Sequence, residues 1–314
     1  MRRILDPESS STHVLNADAK LPVVLKGAYI AANWANNVWR PRGNTQHLTH
    51  RHFTSSFTPE DFSHLQAKFS PARALADLFI AKVDWKYCQS LLGGVRIFDT
   101  GCGTGEYALK LRRCSGDALQ RYTGVDIRER KEWPELMAKN PWMHLKKLNS
   151  SDVREAMPDD TSLIFTVSAI EHFEKDIRYF ARLNDFVATR PGPVLQIHIF
   201  PAAAGLPLYV FHGVRQYTPR TVGKLVRCFS SESTQNLVYS LGGPACNRLH
   251  FRSITVPIHL GKPVPKGGDV PRYVEGRNNA ICTDAAAHGK NPTLYALLLL
   301  SNGPKGALSG VVKQ

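Results

Sequence analysis

The sequence predicts an α/β fold in which short apolar strands alternate with helices and lie side by side in a mostly parallel sheet. Three observations carry that reading. Residues 95–106, Val-Arg-Ile-Phe-Asp-Thr-Gly-Cys-Gly-Thr-Gly-Glu, run an apolar strand into a loop with glycine at alternate positions and then into a helix. Further strand-like runs recur at 121–126, 144–148, 162–168 and 193–200, separated by stretches of helical period. Two last apolar runs, 235–241 and 293–300, close the chain as an antiparallel pair.

The chain has 314 residues, 43% hydrophobic and 21% charged, which is ample for a large core. A net charge of +14 suits contact with an anionic partner and also serves solubility. Six cysteines, at 88, 102, 114, 228, 246 and 282, form no Cys-x-x-Cys pair, as expected of a reduced, cytoplasmic protein. Arg2 and Arg3 are followed by Asp6 and a serine-rich run where an export signal needs apolar residues. The longest apolar runs, such as 294–300, are too short to span a bilayer, so no membrane partner is expected.

Residues 1–69 read as an N-terminal extension that packs over the substrate side of a domain formed by 70–314. Its aromatic residues, Tyr29, Trp34, Trp39, Phe53 and Phe57, argue for an ordered segment. His47, His50 and His52 lack a carboxylate or cysteine partner at useful spacing, so no metal site is expected. Ser70-Pro71 opens a helix with Leu75, Leu78, Phe79 and Val83 on one face, continuing to Gly93-Gly94.

In the glycine loop, Gly101, Gly103 and Gly105 allow sharp turning and the close approach of a large ligand. The helix over 106–114 then aims free backbone N–H groups at that ligand. A dinucleotide fingerprint needs glycine where Glu106 stands, and no Gly-Lys-Ser/Thr follows for a phosphate loop. What remains is Asp-x-Gly-x-Gly-x-Gly. Asp126 ends the next strand 21 positions beyond Gly105, the interval at which a carboxylate meets both ribose hydroxyls, and Ile127 follows it. A helix over 132–139, interrupted by Pro134, leads to the third strand and then to Asn149-Ser150-Ser151-Asp152-Val153.

The fourth strand, 162–168, ends in Ser168 and delivers Ala169-Ile170-Glu171-His172-Phe173 to the strand ends, where ligands of open α/β sheets collect. Glu171 and His172 are therefore the foremost candidates for chemistry. The unperturbed pKa of an imidazole lies near working pH, which makes His172 a candidate base. A helix bearing Ile177, Phe180, Leu183 and Phe186 precedes the fifth strand, which carries His198. An insert over 206–217 supplies His212, Arg215 and Tyr217, and Thr218-Pro219 starts another helix. Residues 242–292, rich in Gly, Pro and Asn, read as one long loop of functional character.

The loop from Asp99 to Gly105, with Asp126, Asp152-Val153 and residues 168–172, resembles the class I S-adenosylmethionine-dependent methyltransferases of small-molecule type. That resemblance implies a Rossmann-like methyltransferase fold with a seven-stranded, mostly parallel sheet and a terminal antiparallel hairpin. It implies that Asp99 faces the cationic methionine end of S-adenosylmethionine and that Gly101, Cys102, Gly103 and Gly105 admit the cofactor body. Asp126 and Ile127 then serve the ribose side, Asp152 the adenine amino group, Val153 the ring face, and Ser168 the cofactor edge. Glu171 and His172 match a Glu-His stretch near the reacting centre, and the insert with His212, Arg215 and Tyr217 matches a substrate wall.

The activity implied is methyl transfer to oxygen or nitrogen of a small-molecule acceptor, such as a sugar or other secondary metabolite, anionic or polyhydroxylated. The fourth strand ends Ser-Ala-Ile-Glu, not in the Asn/Asp-Pro-Pro-aromatic motif of base methylation, and no Pro-Cys motif is present. The basic charge keeps an RNA methyltransferase as the alternative. A non-catalytic protein that binds S-adenosylmethionine and acts through partners is the third reading.

Overall fold

The computed structural model describes residues 7–13, 15–19, 21–38, 45, 47–149, 152–209, 211–262, 264, 269–287 and 290–313. Arg2, Arg3, Asp6, Trp39, Ser150 and Ser151 lie outside them. The strands are β1 (His50–His52), β2 (Val95–Thr100), β3 (Leu119–Asp126), β4 (Met143–Lys147), β5 (Leu163–Val167), β6 (Val194–Pro201), β7 (Thr234–Leu241) and β8 (Leu294–Ser301). They form one sheet in the order β1-β7-β8-β6-β5-β2-β3-β4, with β8 antiparallel to both neighbours and every other pairing parallel.

The sheet matches the expected fold with one correction: it has eight strands, not seven. The eighth is β1 from the extension, whose His50 and His52 are exposed edge residues paired along β7. A three-residue strand dominated by histidine has no alternating apolar pattern, so periodicity did not reveal it.

Period-two alternation sends neighbouring strand residues into two cores. Ile97, Tyr122, Phe165 and Leu298 face one layer, whereas Phe98, Val125, Ile164 and Leu297 face the other. The extension carries α1 (Val23–Val38) and α2 (Pro59–Ser63); the first layer is covered by α3 (Pro71–Ala81), α4 (Trp85–Leu92) and α5 (Glu106–Ser115), and the second by α7 (Asp176–Ala188) and α8 (Pro219–Val226). Burying each large apolar side chain contributes about 1.5–3 kcal/mol. The two cores therefore hold the sheet rigid under its loops.

Helix boundaries correct the sequence reading in three places. The stretch from Ser70 to Gly93 is two helices, because Asp84 caps α4 by accepting from the Tyr87 amide. Pro134 lies in the first turn of α6 (Trp133–Lys139), where a missing N–H has no helical partner to lose, so the helix starts there and is not interrupted. Residues 242–292 are largely helical: α9 (Pro244–His250), a π-turn over Phe251–Thr255, α10 (Val256–His259) and α11 (Val270–Ala286). Pro244 follows Gly243, and Asp269 caps α11 through the Arg272 amide. In α11, Tyr273, Arg277, Ala280, Ile281 and Asp284 bury one stripe at helical spacing.

The chain reverses its direction of sheet building between β2 and β5, which are adjacent in the sheet. That switch point opens a crevice at the strand ends. Both the glycine loop after β2 and residues 168–172 after β5 enter it.

Candidate active site

Two loops meet in the crevice at van der Waals range. Gly101, Gly103 and Gly105 have φ of +82°, +56° and +87°, the left-handed region that L side chains rarely adopt. A Cβ on Gly101 would stand 2.6 Å from the Ala169 Cβ, so this glycine is needed for the loops to pass. At Gly103 a Cβ would meet nothing within 4 Å, which leaves the loop surface open toward solvent. The N-cap of α5 is Gly105 and makes no side-chain cap, so the first amides of the helix face that opening.

Asp126 secures the loop from the end of β3. One carboxylate oxygen accepts from the Gly103 amide at 3.0 Å and the other from the Arg128 amide at 2.9 Å. The Trp133 indole donates to the Gly103 carbonyl at 3.0 Å. Ile127 follows with a side chain 70% exposed, an apolar face beside an acid. Asp99 is buried and accepts from the Tyr122 hydroxyl; burial raises its pKa to about 7, against the pull of that hydrogen bond. Cys102 is also buried, and burial pushes its thiol up, so only its backbone is available to a ligand.

The adenine-side residues of the resemblance have local duties. Asp152 accepts from the Arg154 amide at 3.0 Å and pairs with Arg182 at 3.1 Å, and Val153 is buried in the core under α7. Ser168 is exposed in the crevice with φ +49°, a strained setting for a residue with a Cβ. That turn swings the chain from β5 into Glu171 and His172.

The chemistry gathers around Glu171, which is fully buried. Neither carboxylate oxygen has a hydrogen-bond partner among the described residues. The Nε2 atoms of His212 and His172 stand 3.7 and 3.9 Å from its Oε1. The two imidazoles cross edge to face with centroids 4.6 Å apart. Asp18, from a short turn in the extension, lies 2.6 Å from His172 Nδ1 and accepts from the Gly213 amide at 3.3 Å. Burial alone lowers the His212 pKa, but the Glu171 and Asp18 carboxylates raise it overall. Asp18 is held below the ordinary carboxylate value by His172, against the opposing effect of burial. Gly213, at φ +63°, seats the turn on Glu171: a Cβ there would lie 2.7 Å from the Glu171 carbonyl.

Glu171 and His212 border a cavity of about 500 Å³ at the ends of β5 and β6. Phe69, Tyr209, Ile254 and Ile258 supply apolar wall, with Glu171 and His212 as polar points. Ile254 and Ile258 belong to the helical segment expected as loop. Asp18 lay outside sequence reasoning altogether: it is 154 positions from His172, in an Ala-Asp-Ala stretch with no motif. Tyr273, from α11, also lines the cavity, and that helix had a signal in the 3–4 spacing of its buried residues.

Arg215 and Tyr217, expected at a substrate wall, do not line the cavity. Arg215 is fully buried and donates to Ser9 and Ser11 hydroxyls and to the Phe173 and Glu174 carbonyls, beside Asp176 at 3.2 Å. The Tyr217 hydroxyl donates to Asp176 at 2.9 Å. They fasten the extension to the 170–176 turn. Of the three insert residues, only His212 faces the cavity. Tyr217→Phe should cost about 1–3 kcal/mol in urea unfolding, since it removes a donor from a buried carboxylate. His198 is a neutral core residue, its pKa lowered by burial to about 3.

No family model and no curated protein sequence matches the chain. Comparison with solved structures finds low-identity likenesses, several of them S-adenosylmethionine-dependent methyltransferases. The [4+2]-cyclase SpnF is 15% identical, with a TM-score of 0.43 over 76% of this chain and 85% of its own. The plantazolicin methyltransferase BamL, solved with a desmethyl-plantazolicin analog and S-adenosylhomocysteine, is 12% identical, with a TM-score of 0.41 over 77% and 93%. Geranyl diphosphate C-methyltransferase from Streptomyces coelicolor A3(2) is 12% identical, with a TM-score of 0.39 over 90% and 100%. No described helix is long and apolar enough to cross a membrane.

Proposed function

We propose that the chain is an S-adenosylmethionine-dependent methyltransferase acting on a small-molecule acceptor. The observation that carries this reading is the paired arrangement at the switch point: an open left-handed glycine loop on one side and a walled cavity on the other. The loop fits a nucleoside with a cationic tail. On this reading the Asp126 carboxylate takes the ribose hydroxyls with the exposed Ile127 beside it, and the buried Asp99 carboxyl faces the cationic end. S-adenosylmethionine, when bound, supplies an already activated sulfonium methyl group.

What the protein adds is alignment and exclusion of water, and alignment alone is worth about 7–11 kcal/mol. Phe69, Tyr209, Ile254 and Ile258 give the acceptor side apolar walls, alongside the charged Lys68, Arg73 and Glu106. Glu171 and His212 are polar groups at the cavity wall placed to orient an acceptor hydroxyl or amine, with His172 behind them on Asp18. A cavity of about 500 Å³ suits a small molecule. The +14 charge favours RNA as the alternative, whose mark is salt-sensitive RNA binding at the same face.

Calorimetry with S-adenosylhomocysteine tests the reading. Saturable one-to-one binding is expected, and Asp126→Ala should weaken it roughly 10- to 100-fold, the worth of charge-assisted hydrogen bonds to a ribose. Absence of saturable binding by the folded wild-type protein refutes the reading. Binding without turnover of any small-molecule pool points to the non-catalytic alternative.

A further inference from the structure

The Glu171 carboxylate is fully buried in the crevice, at the cavity wall, and accepts no hydrogen bond from any described residue; it is met by two imidazoles at ion-pair distance. An ionised carboxylate out of water needs hydrogen bonds, an ion pair or a cation. The groups that face it are two imidazole nitrogens, His212 Nε2 at 3.7 Å and His172 Nε2 at 3.9 Å. Those separations are too long for hydrogen bonds. They are close to the spacing of donors around one ion, since ligands about 2.0–2.2 Å from a tetrahedral centre stand roughly 3.3–3.5 Å apart.

We infer that Glu171, His172 and His212 bind a divalent first-row transition ion, of the zinc or iron(II) class, at the wall of the acceptor cavity. All three offer donor atoms within 4.8 Å of one another. Two imidazoles with one carboxylate suit such ions better than magnesium or calcium, which favour all-oxygen shells. The surrounding shell is already in place. Asp18 sits 2.6 Å from His172 Nδ1, which fixes the ring with its Nε2 toward Glu171. The same Asp18 also accepts from Gly213, beside His212, so one carboxylate from the extension steadies both histidine-bearing segments. The left-handed Gly213 lets the His212 turn reach Glu171, where any Cβ would strike the Glu171 carbonyl.

Three protein ligands leave coordination positions open, and Glu171 and His212 both line the cavity. An oxygen of the acceptor is the natural donor for those positions. The site thus deepens the methyltransferase reading, on which this last step alone rests, by naming the acceptor class as a molecule whose hydroxyl or carbonyl oxygen ligates a metal.

Titration of the metal-stripped full chain with Co²⁺, followed by its visible d–d absorption, tests the ion site without any turnover. The wild type should bind one Co²⁺ per chain, displaced by equimolar Zn²⁺ and unaffected by excess Mg²⁺. Glu171→Gln and His212→Asn should each abolish the signal. Asp18→Asn, which leaves the three ligands in place, should weaken binding about 10- to 100-fold. S-adenosylhomocysteine calorimetry on the same variants reports folding and the cofactor loop independently, and its affinity should change less than threefold. No stoichiometric Co²⁺ spectrum in protein that binds S-adenosylhomocysteine overturns the metal site. So does a Co²⁺ spectrum that survives Glu171→Gln. Failure of S-adenosylhomocysteine binding with an intact Co²⁺ spectrum overturns the cofactor reading and leaves the ion site standing.

Discussion

Gly101→Ala should weaken S-adenosylhomocysteine binding at least about 100-fold, measured by calorimetry on protein shown to be folded by circular dichroism. Two costs coincide at this residue. Its φ of +82° charges an L side chain roughly 1–2 kcal/mol. The new methyl would lie 2.6 Å from the Ala169 Cβ, well inside the roughly 3.5–4.0 Å of normal carbon contact. Together they reach about 3 kcal/mol, and each 1.4 kcal/mol is tenfold in affinity. Ala169 precedes Glu171 by two residues, so a loop that yields to the clash disturbs both halves of the crevice. Removing the opposing methyl should relieve the steric part alone. The double variant Gly101→Ala with Ala169→Gly should therefore regain about tenfold, leaving the backbone cost behind. Binding by Gly101→Ala within threefold of wild type would sink this account of the loop.

The same pair of residues shows what the sequence made legible. The glycine loop was readable because backbone geometry at φ > 0 favours glycine, as at 101, 103 and 105, and because a strand before it and a helix after it have distinct periods. Asp126 was readable for a related reason: the crossover helix of a βαβ unit has a narrow range of lengths, which fixes the interval to the next strand end. Glu171 and His172 were readable as the residues leaving β5 at the switch point. Their surroundings were only partly so: the insert marked His212 as a candidate, but Asp18, 154 positions from His172, reaches them through tertiary packing that no local pattern marks.

Arg215 and Tyr217 mark the converse. A cation and a hydroxyl near a predicted crevice look like ligands for a substrate, but their side chains point into the seam between the extension and the 170–176 turn. Burial decides between the two roles, and burial of an isolated polar residue leaves no period in the sequence. The segment over 242–292 failed differently. Its Gly, Pro and Asn content describes the starts and ends of helices as well as loops, and the buried stripe of α11 is interrupted by Arg277 and Asp284, which an apolar count passes over.

Asp99 should make the stability of the protein fall as pH rises from about 4 to 7, relative to Asp99→Asn. Its carboxyl is buried, its pKa in the fold is about 7, and its ordinary value is 3.8. Between those limits the folded state holds a proton that the unfolded chain has released. The slope of unfolding free energy is then negative, about 1.4 kcal/mol per pH unit, on the order of 4 kcal/mol across the whole window. Above pH 7 the burial cost is fully expressed and the difference from Asp99→Asn becomes constant. Urea unfolding of both proteins at pH 5, 6, 7 and 8 measures this, and parallel curves would show that Asp99 ionises freely in the fold. The same carboxyl links stability to function through sign. A ligand that brings a cation to Asp99 stabilises the carboxylate, so S-adenosylhomocysteine binding near pH 6 should release up to one proton, read as a dependence of the calorimetric heat on the buffer's ionisation enthalpy. The affinity should rise with pH through 7 and level off above it, whereas Asp99→Asn should bind more weakly with no pH dependence over that range. Protein strained by a buried acid without its ligand and relaxed with it gains affinity at the expense of free-state stability, which is the arrangement expected where a binding site is built into the middle of a sheet.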